Sequence, residues 1–181
     1  MLSGWSLRRN PPRESRSGFV YIRLDDRLIH GQVVIGWGTL NVDCLILAND
    51  RVAADPSESE YYRAVISEEM GGTVETLAEV VERTEARCRS KSKCMIVVAS
   101  VADLLDLVEK GLRPDLLILG GLRSGADRKR LLDYLYLSDS EIEELLSLVK
   151  RGIPVVCQDL PTSERIPFAE ALARSHGSHL P

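Results

Sequence analysis

The sequence predicts an α/β fold, in which one domain has three layers: an open, mostly parallel sheet with helices on both faces. Short apolar runs recur along the chain, and amphipathic segments separate most of them. Parallel strands need long crossover connections, which are usually helical, so this alternation favours a parallel sheet. A chain of 181 residues with 44% hydrophobic and 28% charged residues has the size and composition of one globular domain.

The strands are predicted where continuous apolar runs end in polar residues or glycine, as buried parallel strands do. In chain order they cover residues 19–22, 44–48, 94–99, 116–119 and 153–157. The stretch 131–137 is apolar and aromatic, and its pattern fits either another strand or a short helix.

Helices are predicted between these runs from apolar spacing and from terminal signals. They cover a short segment at 31–37, then 56–70 and 73–89, a helix capped by Ser100 and ending at Gly111, and one that begins at Ser138 and ends at Gly152. The basic end of the helix at 73–89 complements the negative end of its dipole, so we interpret it as a solvated terminus and not as a phosphate site.

The composition along the chain predicts the limits of the domain and disfavours several classes of protein. We expect residues 1–18 to be a disordered leader, 19–165 to form the α/β domain, and 166–181 to be a C-terminal segment with a flexible tail. No apolar run is long enough to cross a bilayer, which predicts a cytoplasmic protein. A net charge of −4 argues against nucleic-acid binding, and four scattered cysteines without a CxxC pair predict reduced thiols.

The segment RLDDRLIHGQV at 23–33 is the strongest functional signal. It places His30 on the loop that leaves the first predicted strand, at the end of a sheet where α/β proteins bind ligands. A neutral imidazole is available near pH 7 as a nucleophile. The other two histidines, His176 and His179, lie in the terminal segment, after the last predicted element.

The neighbours of His30 fit a phosphoryl acceptor. Arg23 and Arg27 offer fixed cations for phosphoryl oxygens, and Asp25 and Asp26 can each orient the imidazole through one ring nitrogen. Gly31 leaves space beside the ring.

Other interpretations of the motif remain open. His30 could be a loop histidine held among ordinary surface ion pairs. A metal site is disfavoured because only Asp25 and Asp26 lie near enough in sequence to add ligands. Serine hydrolysis and nucleotide binding are not supported, because the sequence has no GxSxG, Walker or GxGxxG motif.

The motif RLDDRLIHGQV closely resembles the active-site segment of IIB subunits of mannose-type bacterial phosphotransferase systems, a group that includes mannose, fructose and sorbose systems. The resemblance extends over nearly all of residues 19–161 and includes Trp37, the strand end at 49–55, the double glycine at 120–121 and RGIPVVCQDLP at 151–161.

The resemblance implies that His30 accepts a phosphoryl group, at Nδ1, from the phosphohistidine of a IIA partner and passes it to a sugar held by membrane IIC and IID subunits. Such a subunit would be cytoplasmic, or peripheral at the inner membrane through the permease, and would need no metal or organic cofactor. The resemblance leaves the oligomeric state open, and a homo-oligomer is one alternative. The catalytic residues it implies are His30, Arg27 and Asp25, and the residues that support the phosphate loop are Arg23, Gly31 and Gln32.

Two segments depart from the family pattern: EEMGGTV at 68–74, and ILGGLRSG at 118–125 where the family usually has Asn-Val-Gly-Gly-Met. The histidine motif is intact. These departures motivate an alternative, in which the protein is a regulatory phosphohistidine relay or binding module that is not coupled to sugar transport. A third alternative is a small-molecule binding domain that only keeps the fold.

Overall fold

The computed structural model describes residues 18–31, 42–66, 72–89 and 93–177. The first half of this region contains four strands and three helices. They are β1 (Phe19–Asp25), β2 (Cys44–Ala48), α1 (Asp50–Ala54), α2 (Pro56–Val65), β3 (Thr73–Glu75), α3 (Leu77–Arg89) and β4 (Lys93–Val98).

The second half contains five further strands and three further helices. They are α4 (Val101–Glu109), β5 (Leu116–Gly121), β6 (Lys129–Leu132), β7 (Leu135–Leu137), α5 (Asp139–Lys150), β8 (Val155–Cys157), β9 (Ile166–Pro167) and α6 (Phe168–Gly177). The predicted helix at 31–37 lies outside the described residues apart from Gly31, as does the leader before residue 18.

Seven strands form one sheet in the order β3-β2-β4-β1-β5-β8-β9. All neighbouring pairs from β3 to β8 are parallel, and only β9 is antiparallel to its neighbour. The predicted open, mostly parallel sheet is confirmed.

Alternate residues of each central strand pack into two different hydrophobic clusters, because successive side chains point to opposite faces of a sheet. Ile22 and Ile96 belong to the larger cluster, which also holds apolar residues of α3, α4, α5 and α6. Met95 and Val97 belong to the smaller cluster, with Val52 of α1. The three-layer arrangement therefore follows from strands that are apolar on both faces.

The prediction of one helix over 73–89 is wrong at its start. Thr73–Glu75 forms the edge strand β3, and the helix begins only at Leu77. A capping box explains the boundary: the Glu79 carboxylate accepts from the Thr76 backbone N–H at 2.9 Å, and Thr76 Oγ1 accepts from the Glu79 N–H at 3.2 Å.

Three other segments differ in detail from the sequence prediction. The stretch at 131–137 belongs to an antiparallel hairpin of β6 and β7, which lies outside the main sheet. Helix α2 ends at Val65, earlier than predicted. The sequence analysis identified no elements for α1, β9 or α6, although Phe168 and Ala171 of α6 are buried in the larger cluster.

Candidate active site

The histidine loop, residues 26–30, leaves the carboxyl end of β1 near the centre of the sheet. Strands β2, β3 and β4 lie on one side of β1, and β5 and β8 lie on the other. The chain therefore changes direction across the sheet at β1. Crevices at such switch points are where open α/β sheets bind ligands.

Two buried apolar residues anchor the histidine loop. Leu28 has a positive φ of 60° and donates its N–H to the Asp25 carbonyl at 3.0 Å, which closes a tight turn. Its side chain and that of Ile29 pack into the smaller hydrophobic cluster. The side chain of His30, which follows these two buried residues, is 26% exposed.

A buried carboxylate lies beneath the loop. Asp25 is fully buried and its carboxylate accepts from Arg23 Nη2 at 2.8 Å and from Arg27 Nε at 3.0 Å. Arg27 also donates its backbone N–H to Asp25 Oδ1 at 3.1 Å. Asp25 thus bridges the strand to the loop through charge-assisted hydrogen bonds.

The two arginines keep this carboxylate ionised. Burial alone raises the pKa of Asp25, but the hydrogen bond from Arg27 and the charge of Arg23 outweigh it, and the pKa lies below its ordinary value. Burial lowers the pKa of Arg23, whereas the hydrogen bond to Asp25 raises the pKa of Arg27.

His30 faces the same carboxylate. Its Nε2 lies 3.7 Å from Asp25 Oδ2 and is shut off from solvent, and within the described part of the chain it makes no hydrogen bond. This distance is longer than that of a hydrogen bond. Because Nε2 is buried while the ring is partly exposed, the exposed part of the ring lies on its other atoms.

Two glycines of β5 make room for the guanidinium groups. A Cβ on Gly120 would lie 2.1 Å from Arg23 Cζ, and a Cβ on Gly121 would lie 2.9 Å from Arg27 Nη2. The sequence analysis left this double glycine without a role. Its function is steric, because any side chain here would occupy the space of the two arginines.

The structure separates the residues that the sequence grouped together. Asp25, Arg27 and His30 converge. Arg23 is only 1% exposed, so it supports the loop from below and does not face solvent. Asp26 contacts a different segment: its Oδ2 accepts from the Arg123 backbone N–H at 2.8 Å and from Arg123 Nε at 3.2 Å. Among the contacts of the described residues, none joins Asp26 to His30, so they do not support the expectation that Asp26 orients the imidazole.

The remaining predicted site residues lie at the edge of the described region. Gly31 is exposed, and a Cβ there would meet nothing within 4 Å. Gln32 lies outside the described residues.

Sequence analysis included the loop that follows β8 in the family resemblance but assigned its residues no role in the site. Arg23 Nη1 donates to the Gln158 carbonyl at 3.0 Å and Nη2 to the Asp159 carbonyl at 2.9 Å. The Asp159 side chain accepts from Arg27 Nη2 at 3.3 Å. The signal was available, because Gln158 and Asp159 follow a predicted strand at the same sheet edge as the histidine loop.

Two further properties of the described residues bear on function. They contain no group of three His, Cys, Asp or Glu side chains arranged to hold a metal ion. No helix among them has the length and apolar character needed to cross a membrane.

A family model described as "PTS system sorbose subfamily IIB component" matches residues 19–179 of this chain. The chain belongs to this family. As a IIB component it is part of a phosphotransferase system, the class of transferase that acts in sugar transport. The match covers every element of the sheet and the histidine loop.

Curated relatives agree with this assignment. The N-acetylgalactosamine-specific phosphotransferase enzyme IIB component 2 of Escherichia coli K12 is 27% identical over 84% of this chain and 98% of its own length. The fructose-specific EIIB component of Bacillus subtilis is 21% identical over 84% of this chain and 94% of its own length.

The fold is shared with solved IIB structures. The IIB domain of the sorbose permease from Klebsiella pneumoniae superposes with a TM-score of 0.77 and 23% identity, over 87% of this chain and 98% of that structure. At this identity the likeness concerns the fold. The IIB chain described here thus has both the sequence signature and the architecture of its family.

Proposed function

We propose that this IIB component carries a phosphoryl group on His30, which it accepts from the phosphohistidine of a IIA partner and passes to a sugar. The observation that supports this most directly is the geometry around Asp25. One buried carboxylate faces the shielded Nε2 of His30 and also holds Arg27, a cation that is 37% exposed. The arrangement brings a nucleophile and a phosphate-binding group to the same carboxylate.

The contact between Asp25 and Nε2 supports different roles for the two ring nitrogens. A proton on Nε2 faces the carboxylate, which leaves the lone pair of Nδ1 to attack phosphorus. As the Nδ1–P bond forms, the bond from phosphorus to the donor imidazole breaks. The donor ring, protonated on its second nitrogen, leaves as neutral imidazole, and Asp25 offsets the positive charge that appears on the His30 ring.

Arg27 and the exposed loop balance the charge on the phosphoryl oxygens. Phosphoryl transfer of this kind depends on position and electrostatics, and its steps need no metal or organic cofactor. In the second transfer the Nδ1–P bond breaks and leaves His30 as a neutral imidazole, while a bond forms from phosphorus to a sugar hydroxyl oxygen, whose proton passes to solvent.

The partners in this proposal are a IIA phosphocarrier and the membrane IIC and IID permease subunits. The mannose-specific EIIAB component of Escherichia coli K12 is 24% identical to this chain, which covers 47% of that relative. Its name joins an A and a B component in one protein, which is in keeping with direct transfer between them. We propose a cytoplasmic IIB subunit that meets the membrane only through its permease.

The test is phosphorylation of the full chain by a phosphorylated IIA donor, followed by intact mass and peptide mapping. We expect one acid-labile, base-stable phosphoryl group on His30, with a ³¹P chemical shift typical of Nδ1. The variant His30→Gln should lose the label, whereas the matched variants His176→Gln and His179→Gln should keep it. Label that survives in His30→Gln would overturn the proposal.

A second candidate function is the regulatory relay. Its support is the contact between Arg123 and Asp26, because it ties the histidine loop to the segment 118–125, which departs from the family pattern. The two functions differ in what discharges the phosphohistidine. Transport predicts that membranes with IIC and IID plus sugar remove the label, whereas a relay predicts that the label persists under those conditions.

A further inference from the structure

The loop after β8 brings a second carboxylate to the guanidinium that we assign to the phosphoryl group. Asp159 Oδ1 lies 3.3 Å from Arg27 Nη2, and both side chains are partly exposed, Asp159 by 28% and Arg27 by 37%. The same Nη2 also donates to Asp25 Oδ2 at 3.1 Å. Arg27 Nη2 therefore donates to two carboxylates, the buried one of Asp25 and the partly exposed one of Asp159.

The backbone at Asp159 is held in place by the protein interior. Its carbonyl accepts from the buried Arg23 at 2.9 Å. The preceding residue, Gln158, is 3% exposed, and its side-chain amide donates to the carbonyls of Pro161 and Ser163 at 3.1 and 3.0 Å. These contacts fix the loop, so the carboxylate of Asp159 is kept beside Arg27.

The bond from Arg27 to Asp159 is the one most easily exchanged. It is longer than the bonds from Arg27 to Asp25, and it lies in contact with solvent, where an ion pair contributes little. His30 Nε2 and Arg27 Nη2 both approach Asp25 Oδ2, at 3.7 and 3.1 Å, so the His30 ring and the Arg27 guanidinium lie beside the same carboxylate oxygen.

We propose that Asp159 is a positioning residue. It accepts a hydrogen bond from Arg27 while His30 is unphosphorylated, and this hydrogen bond breaks when the phosphoryl group binds to His30. This inference rests on the proposed function. The covalent change is limited to the two N–P bonds. At Asp159 only a hydrogen bond changes: Arg27 Nη2 stops donating to the Asp159 carboxylate and donates to a phosphoryl oxygen instead. The negative charge of Asp159 limits how strongly the site retains the phosphoryl group and so favours its onward transfer.

Asp159→Asn tests this directly, because it removes the charge and keeps the shape. With wild-type IIA at a fixed ratio of phosphorylated to free donor, we expect the equilibrium ratio of phosphorylated to free IIB to rise by about fivefold, as a nearby negative charge is lost. Discharge to the acceptor should slow in proportion. The increase should shrink in about 1 M salt, where charges are screened within roughly 3 Å.

The matched control is Asp106→Asn in α4, which removes the same charge from an exposed pair with Lys110, the residue that follows the helix. It should leave the equilibrium ratio unchanged. Asp159→Glu, which restores the charge, should return the ratio toward the wild-type value.

The outcomes distinguish this inference from the proposed function. If wild-type protein takes no label on His30, the proposed function fails. If His30 is labelled but the ratio in Asp159→Asn is unchanged or lower, or if its rise is insensitive to salt, Asp159 does not act in this way and the inference is overturned.

Discussion

An ion pair beneath the histidine loop and one beside the β6–β7 hairpin have almost the same N···O distance but different surroundings. Arg23 and Asp25 lie 2.8 Å apart and are 1% and 0% exposed, whereas Lys129 and Asp139 lie 2.7 Å apart and are 71% and 72% exposed. Distance alone therefore does not rank these contacts. The comparison teaches that solvent decides what each contributes: water already stabilises the exposed charges, while the buried charges depend on each other.

The largest expected effect is at Asp25. Asp25→Asn removes the counter-charge of the buried Arg23 and leaves that guanidinium with carbonyl acceptors at Gln158 and Asp159. Loss of one partner of a buried pair costs about 3–5 kcal/mol. We expect the free energy of unfolding in urea at pH 7 to fall by about this amount.

The pH dependence provides the control for that measurement. The folded pKa of Asp25 lies below its ordinary value, so its stabilisation is complete above the unfolded pKa of about 3.9 and is lost as the pH falls through the folded value. Asparagine does not titrate. The difference between the wild type and Asp25→Asn should therefore narrow in acid, and a difference that stays constant with pH would contradict the role of charge.

A smaller effect is expected at Gly120. A methyl group there would overlap Arg23, with distances of 2.1 Å to Cζ and 2.3 Å to Nη2, and hydrogen bonds to the carbonyls of Gln158 and Asp159 hold the guanidinium in place. Overpacking of this kind costs about 1–3 kcal/mol. Gly120→Ala should lower the free energy of unfolding by that amount.

Gly125→Ala is the matched control for Gly120→Ala. Its added Cβ would lie 3.7 Å from Arg128 Cδ, an ordinary contact. Equal stability losses in the two variants would show that the space around Arg23 is not tightly filled.

The smallest effect is expected in the exposed pair. Lys129→Met removes the partner of Asp139, and both charges remain accessible to water. We expect the free energy of unfolding to change by less than about 1 kcal/mol. A loss as large as that of Asp25→Asn would remove the distinction between the two regions.

Most of the sheet could be predicted from the sequence because its central strands are apolar on both faces. Runs such as CLILA and CMIVVA are recognisable without any long-range information. The edge strands β3 and β9 are only three and two residues long, so they carry no comparable pattern. For β3, the decisive signal was local: the capping box at Thr76 and Glu79 sets the start of α3.

The candidate site was predictable only where it is contiguous in sequence. The segment RLDDRLIHGQV identified His30, Asp25 and Arg27, because their chemistry is adjacent along the chain. The contacts from Arg23 to the carbonyls of Gln158 and Asp159 span 135 and 136 residues. Such contacts depend on the order of strands in the sheet, which the apolar pattern of single strands does not determine.

The short outer strands have a consequence for how molecules of this protein meet. Within the described sheet, one margin is the three-residue β3, and the other is the antiparallel β9, which contains Pro167. A proline has no amide hydrogen to offer, and a strand this brief gives an incoming chain little to align with. The two described margins therefore disfavour the addition of a strand from another molecule.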